Sequence, residues 1–374
     1  MNGSFNPYRS LAAVAGHPAT AAHYNEEPLF TIKIASLIAI LFCCFILSSN
    51  VYAHGSLMWG FALDGYPITD DKLRAVEEET GVRPGIVVFF LQWPDRGDAT
   101  ASGFPGESAE AVRRRGAVPC ITWEPMYYED GKEVMISFER LLKGEYDRYI
   151  RQFAEGAARW GKPVMIRFAH EMNIKRYHWG TGENEYGPKS PSLYKKMFRY
   201  VVDRFRKAGA GNVLWVFCPN AESVPNTSYD PSASWNTLSQ YYPGDRYVDV
   251  LGVDGYNWGT TRKKEKHGWD SQWKTFAEIF EPPCRELRAA APSKPLVVFE
   301  TATTGQGGNK VEWVKGAINV AGKLGIEGIV WFQSSKEVDW RINSNSDRSY
   351  VSLIRSSSSS PSQEWIERFR RNRQ

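Results

Sequence analysis

Two glutamates stand where packing does not ask for them. Glu171 ends the run PVMIRFAHE (163–171), and Glu300 ends the apolar stretch that opens PLVVFETA (295–302). A carboxyl group in such a place can give a proton, take one, or attack an electrophilic carbon, and its surroundings decide which. Two carboxyls facing each other can divide these roles, one kept protonated as an acid and the other kept ionised as a nucleophile. Glu171 sits between His170 and Met172, near Phe168 and Trp179. Glu300 has Tyr256 and His170 as candidate hydrogen-bond donors. Taken singly, a glutamate at a strand end is more often a salt-bridged structural residue, so the pairing carries the argument.

Other polar and aromatic side chains end apolar runs in the same way: Trp123 and Glu124, Arg167, Asn173, Asn220, Asp254, Tyr256 and Asn257, then Trp331 and Gln333. Arg167 reads equally as a buried partner of a carboxylate or as a ligand contact. His170 reads as a core histidine, and Tyr256 or Trp331 as ordinary packing. The segment HEMN does not extend to HExxH, because Ile174 occupies the second histidine position. No other His/Cys cluster has metal-ligand spacing and no GxSxG elbow occurs, so no metal and no organic cofactor is expected.

The elements that must position these residues alternate along the chain. Strand-like runs cover 56–63, 85–93, 117–124, 163–171, 212–220, 248–256, 295–302 and 326–334, most of them continuously apolar, as parallel strands covered on both faces require. Amphipathic stretches lie between them, most followed by Gly or Pro. Eight such alternations predict a single α/β domain, a (β/α)8 TIM barrel, over 54–354. A doubly wound sheet is the alternative, but no GxGxxG turn follows the first strand. In a barrel the polar strand ends would gather at one mouth, with strands four and seven across it from each other. Side chains pointing inward from both strands can face one another, and retaining glycoside hydrolysis needs two carboxyls about 5–5.5 Å apart, one as acid/base and one as nucleophile.

The 374 residues carry a net charge of +4, with no basic stripe interleaved with aromatics, so nucleic acid is not an expected partner. Aromatic residues make up 14%, and tryptophans beside loop residues (Trp93, Trp123, Trp179, Trp258) suit either core packing or stacking on flat ligands such as sugars. The apolar run 34–47 is shorter than the roughly 20 residues of a spanning helix and precedes SSNVYA. Residues 1–53 therefore read as an export signal or an uncleaved N-terminal membrane anchor, giving an exported, periplasmic or secreted protein. Residues 355–374 read as a flexible Ser-rich and basic tail. The three cysteines beyond 53, Cys120, Cys218 and Cys284, allow one bridge of unknown pairing. A monomer is expected.

PVMIRFAHEMN (163–173), with Tyr177, Trp179 and Gly180 after it, resembles the acid/base region of glycoside hydrolase family 26. These are clan A (β/α)8 enzymes, best known as β-mannanases, with lichenases and β-1,3-xylanases among them. The resemblance continues through TWEP (122–125), NVLWVFCPN (212–220), YYPGDRYVDVLGVDGYN (241–257), KPLVVFET (294–301), GIVWFQ (328–333) and DWRI (339–342). It implies Glu171 as acid/base and Glu300 as nucleophile. His170 and Tyr256 would serve the −1 sugar, with Arg167 supporting this inner shell. Trp331 would form the sugar platform and Trp179 would line the positive subsites. Trp123, Glu124 and Asn173 complete the expected substrate contacts.

The implied partner is a polysaccharide, β-1,4-mannan or glucomannan first. The alternatives are a β-glucan, an exopolysaccharide trimmed outside the membrane, or a barrel that binds glycan without cutting it. The segment HEMNIKRYHWG departs from the family's usual HEMNG. Lys175 and Arg176 there are either solvated or suited to an anionic or decorated chain.

Overall fold

Runs rich in Val, Ile, Leu and Phe can neither face water nor satisfy their backbone alone, so they pair side by side and are covered by helices. The computed structural model describes residues 57–95, 103–177, 179, 186–343, 347–361 and 365–366. In it all eight expected strands form: β1 (Leu57–Leu63), β2 (Ile86–Gln92), β3 (Val118–Glu124), β6 (Val164–Phe168), β7 (Val213–Phe217), β8 (Val250–Asp254), β9 (Leu296–Thr301) and β10 (Ile326–Phe332). They run in parallel in that order, and β10 pairs with β1 (Gly60↔Val330, Ala62↔Phe332), which closes the barrel. A hairpin the sequence did not announce, β4 (Met126–Glu129) and β5 (Lys132–Met135), grows from the loop after β3.

Helices close the outer layer, and their ends are chemically marked. Asp147–Trp160 stops at Gly161, whose φ of 69° a side chain would resist, and the chain then turns into β6. Phe276–Ala290 starts with a full capping box between Thr275 and Glu278. The lumen below the mouth is tight. A Cβ on Gly252 would come within 2.7 Å of Cys218 Sγ, so β8 can pass β7 there only as glycine. Cys120, Cys218 and Cys284 are buried and free, so no bridge joins them.

Side chains alternate along a strand, and that period of two sorts the expected site residues. Phe90, Thr122 and Arg167 lie in register across β2, β3 and β6, facing the lumen. One residue away the direction reverses. Trp123 faces the helices, donating to Tyr149 Oη at 3.0 Å and packing on Phe153 at 4.5 Å. Trp331 also faces outward, against Trp313 and Tyr350, with its indole N–H donating to the Trp340 carbonyl at 2.8 Å. Both expected sugar contacts are therefore core residues, and Phe332, the next along β10, turns inward to Phe90 and Tyr256. Trp93 is equally buried.

The C-terminal boundary also moves. Arg348–Ser357 is helical, and β11 (Ser358–Ser359) adds a parallel pairing to β1. Ser357 Oγ accepts from Trp59 Nε1 at 3.0 Å, and Trp365 is buried with its indole N–H on Glu327. Residues 355–361, expected in a flexible tail, thus include the end of a helix and a short strand paired to β1. The run 34–47 and the basic residues 368–373 lie outside the described residues. No helix among the described residues is long and apolar enough to cross a membrane.

Trp331→Ala should cost about 3–5 kcal/mol in chemical denaturation, the usual range for emptying a buried tryptophan site. A normal midpoint with weakened glycan binding would return this residue to the cleft.

Candidate active site

Arg167 stands at the centre of the mouth, with no solvent exposure. A buried guanidinium needs its charge and its donors answered. Nη1 donates to Asp254 Oδ2 at 2.6 Å, Nη2 to Glu300 Oε1, and Nε and Nη2 to Thr122 Oγ1 at 3.0 and 2.6 Å. Burial works against the cation, but Asp254 and then Glu300 hold its pKa well above the ordinary value. The ring of Phe90 lies 5.7 Å from the same guanidinium.

Glu300 and Asp254 are register partners at the ends of β9 and β8. The second oxygen of Glu300 accepts from Tyr256 Oη at 2.6 Å. Both carboxylate oxygens are therefore engaged, by Arg167 and Tyr256. His170, an expected donor, is not one of the partners; the guanidinium occupies that role.

The chain bends sharply after β6. Ala169 and Glu171 both take left-handed backbone, at φ 48° and 51°. Non-glycine residues hold such angles at a cost of roughly 1 kcal/mol or more each, and only where the surroundings over-determine them. Here Ala169 N–H donates to Trp123 O at 3.2 Å and Glu171 N–H to Cys218 O at 2.8 Å, pinning the bend to both neighbouring strand ends. Glu171 Oε1 then accepts from Asn220 Nδ2 at 2.7 Å. Burial, reinforced by the nearby charge of Glu300, raises the Glu171 pKa to about 7, against the opposing amide of Asn220.

Asn173, expected to meet substrate, is buried and works on the protein instead. Its amide nitrogen donates to Asn220 O and Ser223 Oγ at 2.9 and 3.0 Å, and its Oδ1 accepts from Asn220 N at 2.8 Å. It fixes the residue that bonds Glu171. His170 lies among Phe90, Tyr177 and Trp179, with rings 6.4, 4.7 and 5.8 Å away. Burial, then Arg167 and Arg176, lowers its pKa well below the usual histidine range, so it is neutral. Trp179 is fully buried, stacks on Tyr177 at 5.2 Å and donates to the His170 carbonyl at 2.5 Å. It supports His170, where a residue lining the positive subsites was expected.

Glu124 faces the mouth beside Gln92, which donates to it, and burial raises its pKa to about 7. With Asp254, Glu300 and Glu171 it makes four carboxyls in one small volume. Arg176 forms a two-pronged pair with Glu133 at 2.6 and 2.8 Å and lies over Tyr177. Its charge is spent joining the Glu171 loop to the β4–β5 hairpin.

Among the described residues, His170, Asp254 and Glu300 form a cluster whose ligand atoms lie within 4.8 Å of one another. Arg167 bonds both carboxylates, so the cation these groups can hold is the guanidinium.

In the sequence Phe90 and Gln92 stand out only as part of a strand run, and Thr122 and Trp340 only within TWEP and DWRI, none with a role of its own. Asn220 and Asp254 were visible as polar strand ends, and alternation with Tyr256 marks Asp254 as lumenal. Trp340, within the DWRI segment, lies beyond β10 yet sets its ring 5.3 Å from Tyr256 and 5.0 Å from Trp258. The five large hydrophobic residues with high exposure among the described residues are Tyr66, Val224, Tyr229 and Trp269, on loops that follow barrel strands, and Tyr128, within the β4–β5 hairpin after β3.

Known proteins share this arrangement of chain. Residues 130–276 match the model of Glycosyl hydrolase family 26, a stretch holding Glu171 and Tyr256 but ending before Glu300. Endoglucanase H of Acetivibrio thermocellus is 34% identical over 298 residues, 78% of this chain and 30% of that protein. A mannan endo-1,4-beta-mannosidase of Bacillus subtilis is 36% identical over 101 residues, 26% of this chain and 24% of that protein. The chain thus spans less than a third of either relative. A beta-mannanase structure from Bacteroides ovatus superposes with TM-score 0.56 at 19% identity, covering 82% of this chain and 90% of that one. An endo-beta-1,4-mannanase catalytic domain from Bacillus sp. JAMB-750 gives 0.57 at 18%, covering 82% and 88%. At these identities the structures speak for the closed barrel.

The raised pKa of Glu171 has a stability consequence. Between 4.5, its ordinary value, and about 7, the folded protein holds a proton that the unfolded chain has released, so stability falls as pH rises through that window. Glu171→Gln removes the titration. It should be the more stable form at pH 8, by on the order of 2 kcal/mol, with the gap closed near pH 4 in denaturant melts. A pH-independent difference would contradict the buried, protonated state.

Proposed function

The chain belongs to glycosyl hydrolase family 26, and on that premise we propose that it is a retaining endo-β-glycanase cutting a β-linked polysaccharide by double displacement. One observation carries the reading: two carboxyls share one buried mouth in opposite surroundings. Glu171 has a neutral amide as its partner and a pKa near 7, which suits a group that must give a proton to the leaving oxygen and later take one from water. Glu300 is gripped by a guanidinium and a phenol, which aim a carboxylate and leave it unable to swing away.

The proposed sequence has two halves. Glu300 attacks the anomeric carbon while Glu171 protonates the departing glycosidic oxygen, leaving a glycosyl ester on Glu300. Glu171, now ionised, takes a proton from water as that water attacks the same carbon and releases Glu300. Neutral His170 is a hydrogen-bonding wall for the sugar and adds no charge against the forming oxocarbenium ion. The aromatic residues exposed around the mouth fit the flat faces of a sugar chain.

Mannan or glucomannan is the first substrate proposed, as the names of several relatives suggest. A β-glucan is the second, because a relative 34% identical over 298 residues is named an endoglucanase. That protein is over three times longer than the matched part, so its name assigns nothing to this part by itself. The neutralised Arg176 weakens the case for an anionic chain. Through the run 34–47 the proposal places the enzyme outside the cytoplasm, exported or anchored.

Reducing ends should appear from one or more of mannan, glucomannan and mixed-linkage β-glucan, and the first product should keep the β configuration by NMR; an inverted product would sink the covalent route. Glu300→Ala should abolish turnover with its circular dichroism unchanged. Glu171→Ala should lose about 10²–10⁴-fold on polysaccharide and much less on aryl glycosides with good leaving groups. Equal losses on both would remove Glu171 from the acid role. In the parent enzyme kcat/KM should fall as pH rises through about 7, where Glu171 gives up its proton.

A further inference from the structure

The loop after β8 leaves the mouth and carries an exposed tryptophan on a built support. Its base is locked by a reciprocal pair: Arg262 N–H donates to Ser271 Oγ at 2.9 Å, and Ser271 N–H to Arg262 O at 3.3 Å. Inside the loop, Lys263 N–H donates to His267 Nδ1 and Lys264 N–H to Asp270 Oδ1, both at 3.0 Å. Trp269 stands between Gly268 and Asp270 with 46% of its surface exposed. So much indole in water costs free energy that folding does not recover, and the loop bonds keep it there.

Trp269 is also joined to the chemistry by rings. Its edge meets Trp258 at 6.0 Å and 84°, and Trp258 lies 5.9 Å from Tyr256, whose hydroxyl bonds Glu300. Trp340 braces both inner rings, and the Arg262 guanidinium covers Trp258 at 4.2 Å. With Trp258 capped by that cation, the exposed ring at the end of the series is Trp269.

We propose that Trp269 is the platform of an outer subsite, taking by stacking one pyranose of the bound polysaccharide, two ring steps from Tyr256 and remote from the cleaved bond. This rests on the endo-glycanase reading and deepens it: the enzyme senses chain length through the loop after β8. A subsite so far from the reacting carbon contributes to holding a long chain and leaves the chemical step alone.

The test compares the full chain with Trp269→Ala and Trp269→Phe, on the polysaccharide it cleaves and on an aryl glycoside too short to reach the loop. For Trp269→Ala, KM on polysaccharide should rise about tenfold with kcat unchanged, and kcat/KM on the aryl glycoside should not move. Trp269→Phe should recover most of the KM. An unchanged polysaccharide KM, or equal losses on both substrates, would overturn the subsite while leaving the glycanase reading standing. A parent chain that releases no reducing ends from any polysaccharide would overturn both.

Discussion

A single buried cation organises the mouth of this barrel. Arg167 is reached by no water, and its guanidinium is divided among Asp254, Glu300 and Thr122, which come from three other strands. Removing one partner from such a buried set typically costs about 3–5 kcal/mol, because the remaining charge has no water to turn to. The register of β3, β6, β8 and β9 is therefore tied to one side chain. A slip of one residue on any of them would carry a charged group into the helix layer. The same pairing gives the two carboxyls different surroundings: Arg167 engages Glu300 directly, and Glu171 stands apart with Asn220.

That arrangement explains the strained bend after β6. A regular strand would carry Glu171 on outward or upward with its neighbours. The left-handed turns at Ala169 and Glu171 bring it to the amide of Asn220, and the bonds to Trp123 and Cys218 hold the turns in place. Asn173 then clamps Asn220 from behind. The local cost lies in the segment where geometry matters most, and rigid strand ends on both sides oppose it.

The barrel was legible because its strands are long apolar runs buried on both faces, a signal that survives without any partner sequence. The carboxyl pair was legible because charge at the end of such a run has few structural excuses. Direction was harder. Trp331 and Phe332 are adjacent and equally apolar, so nothing local says which turns inward, and the choice falls to register across the closed sheet. Trp123 and Trp179 sit next to polar residues yet are buried, since a loop-like neighbour says little about where a ring points. Trp340 and the β4–β5 hairpin depend on contacts between distant segments, which a single sequence does not display. The same holds for Arg176, whose partner Glu133 lies on strand β5 of the hairpin.

The tightness of the lumen beneath Arg167 has one more consequence. Among the described residues, buried Cys120 and Cys218 and the close approach at Gly252 fill the lumen below, and both carboxyls lie at the mouth above it. In the proposed cycle, a water molecule bound for an ester on Glu300 would arrive from the same mouth by which the severed chain end would leave. That shared route would impose an order: departure first, wetting second. An end that lingered would keep the water out and remain the nearest acceptor, so residence at the mouth would set the balance between cutting a chain and rejoining it.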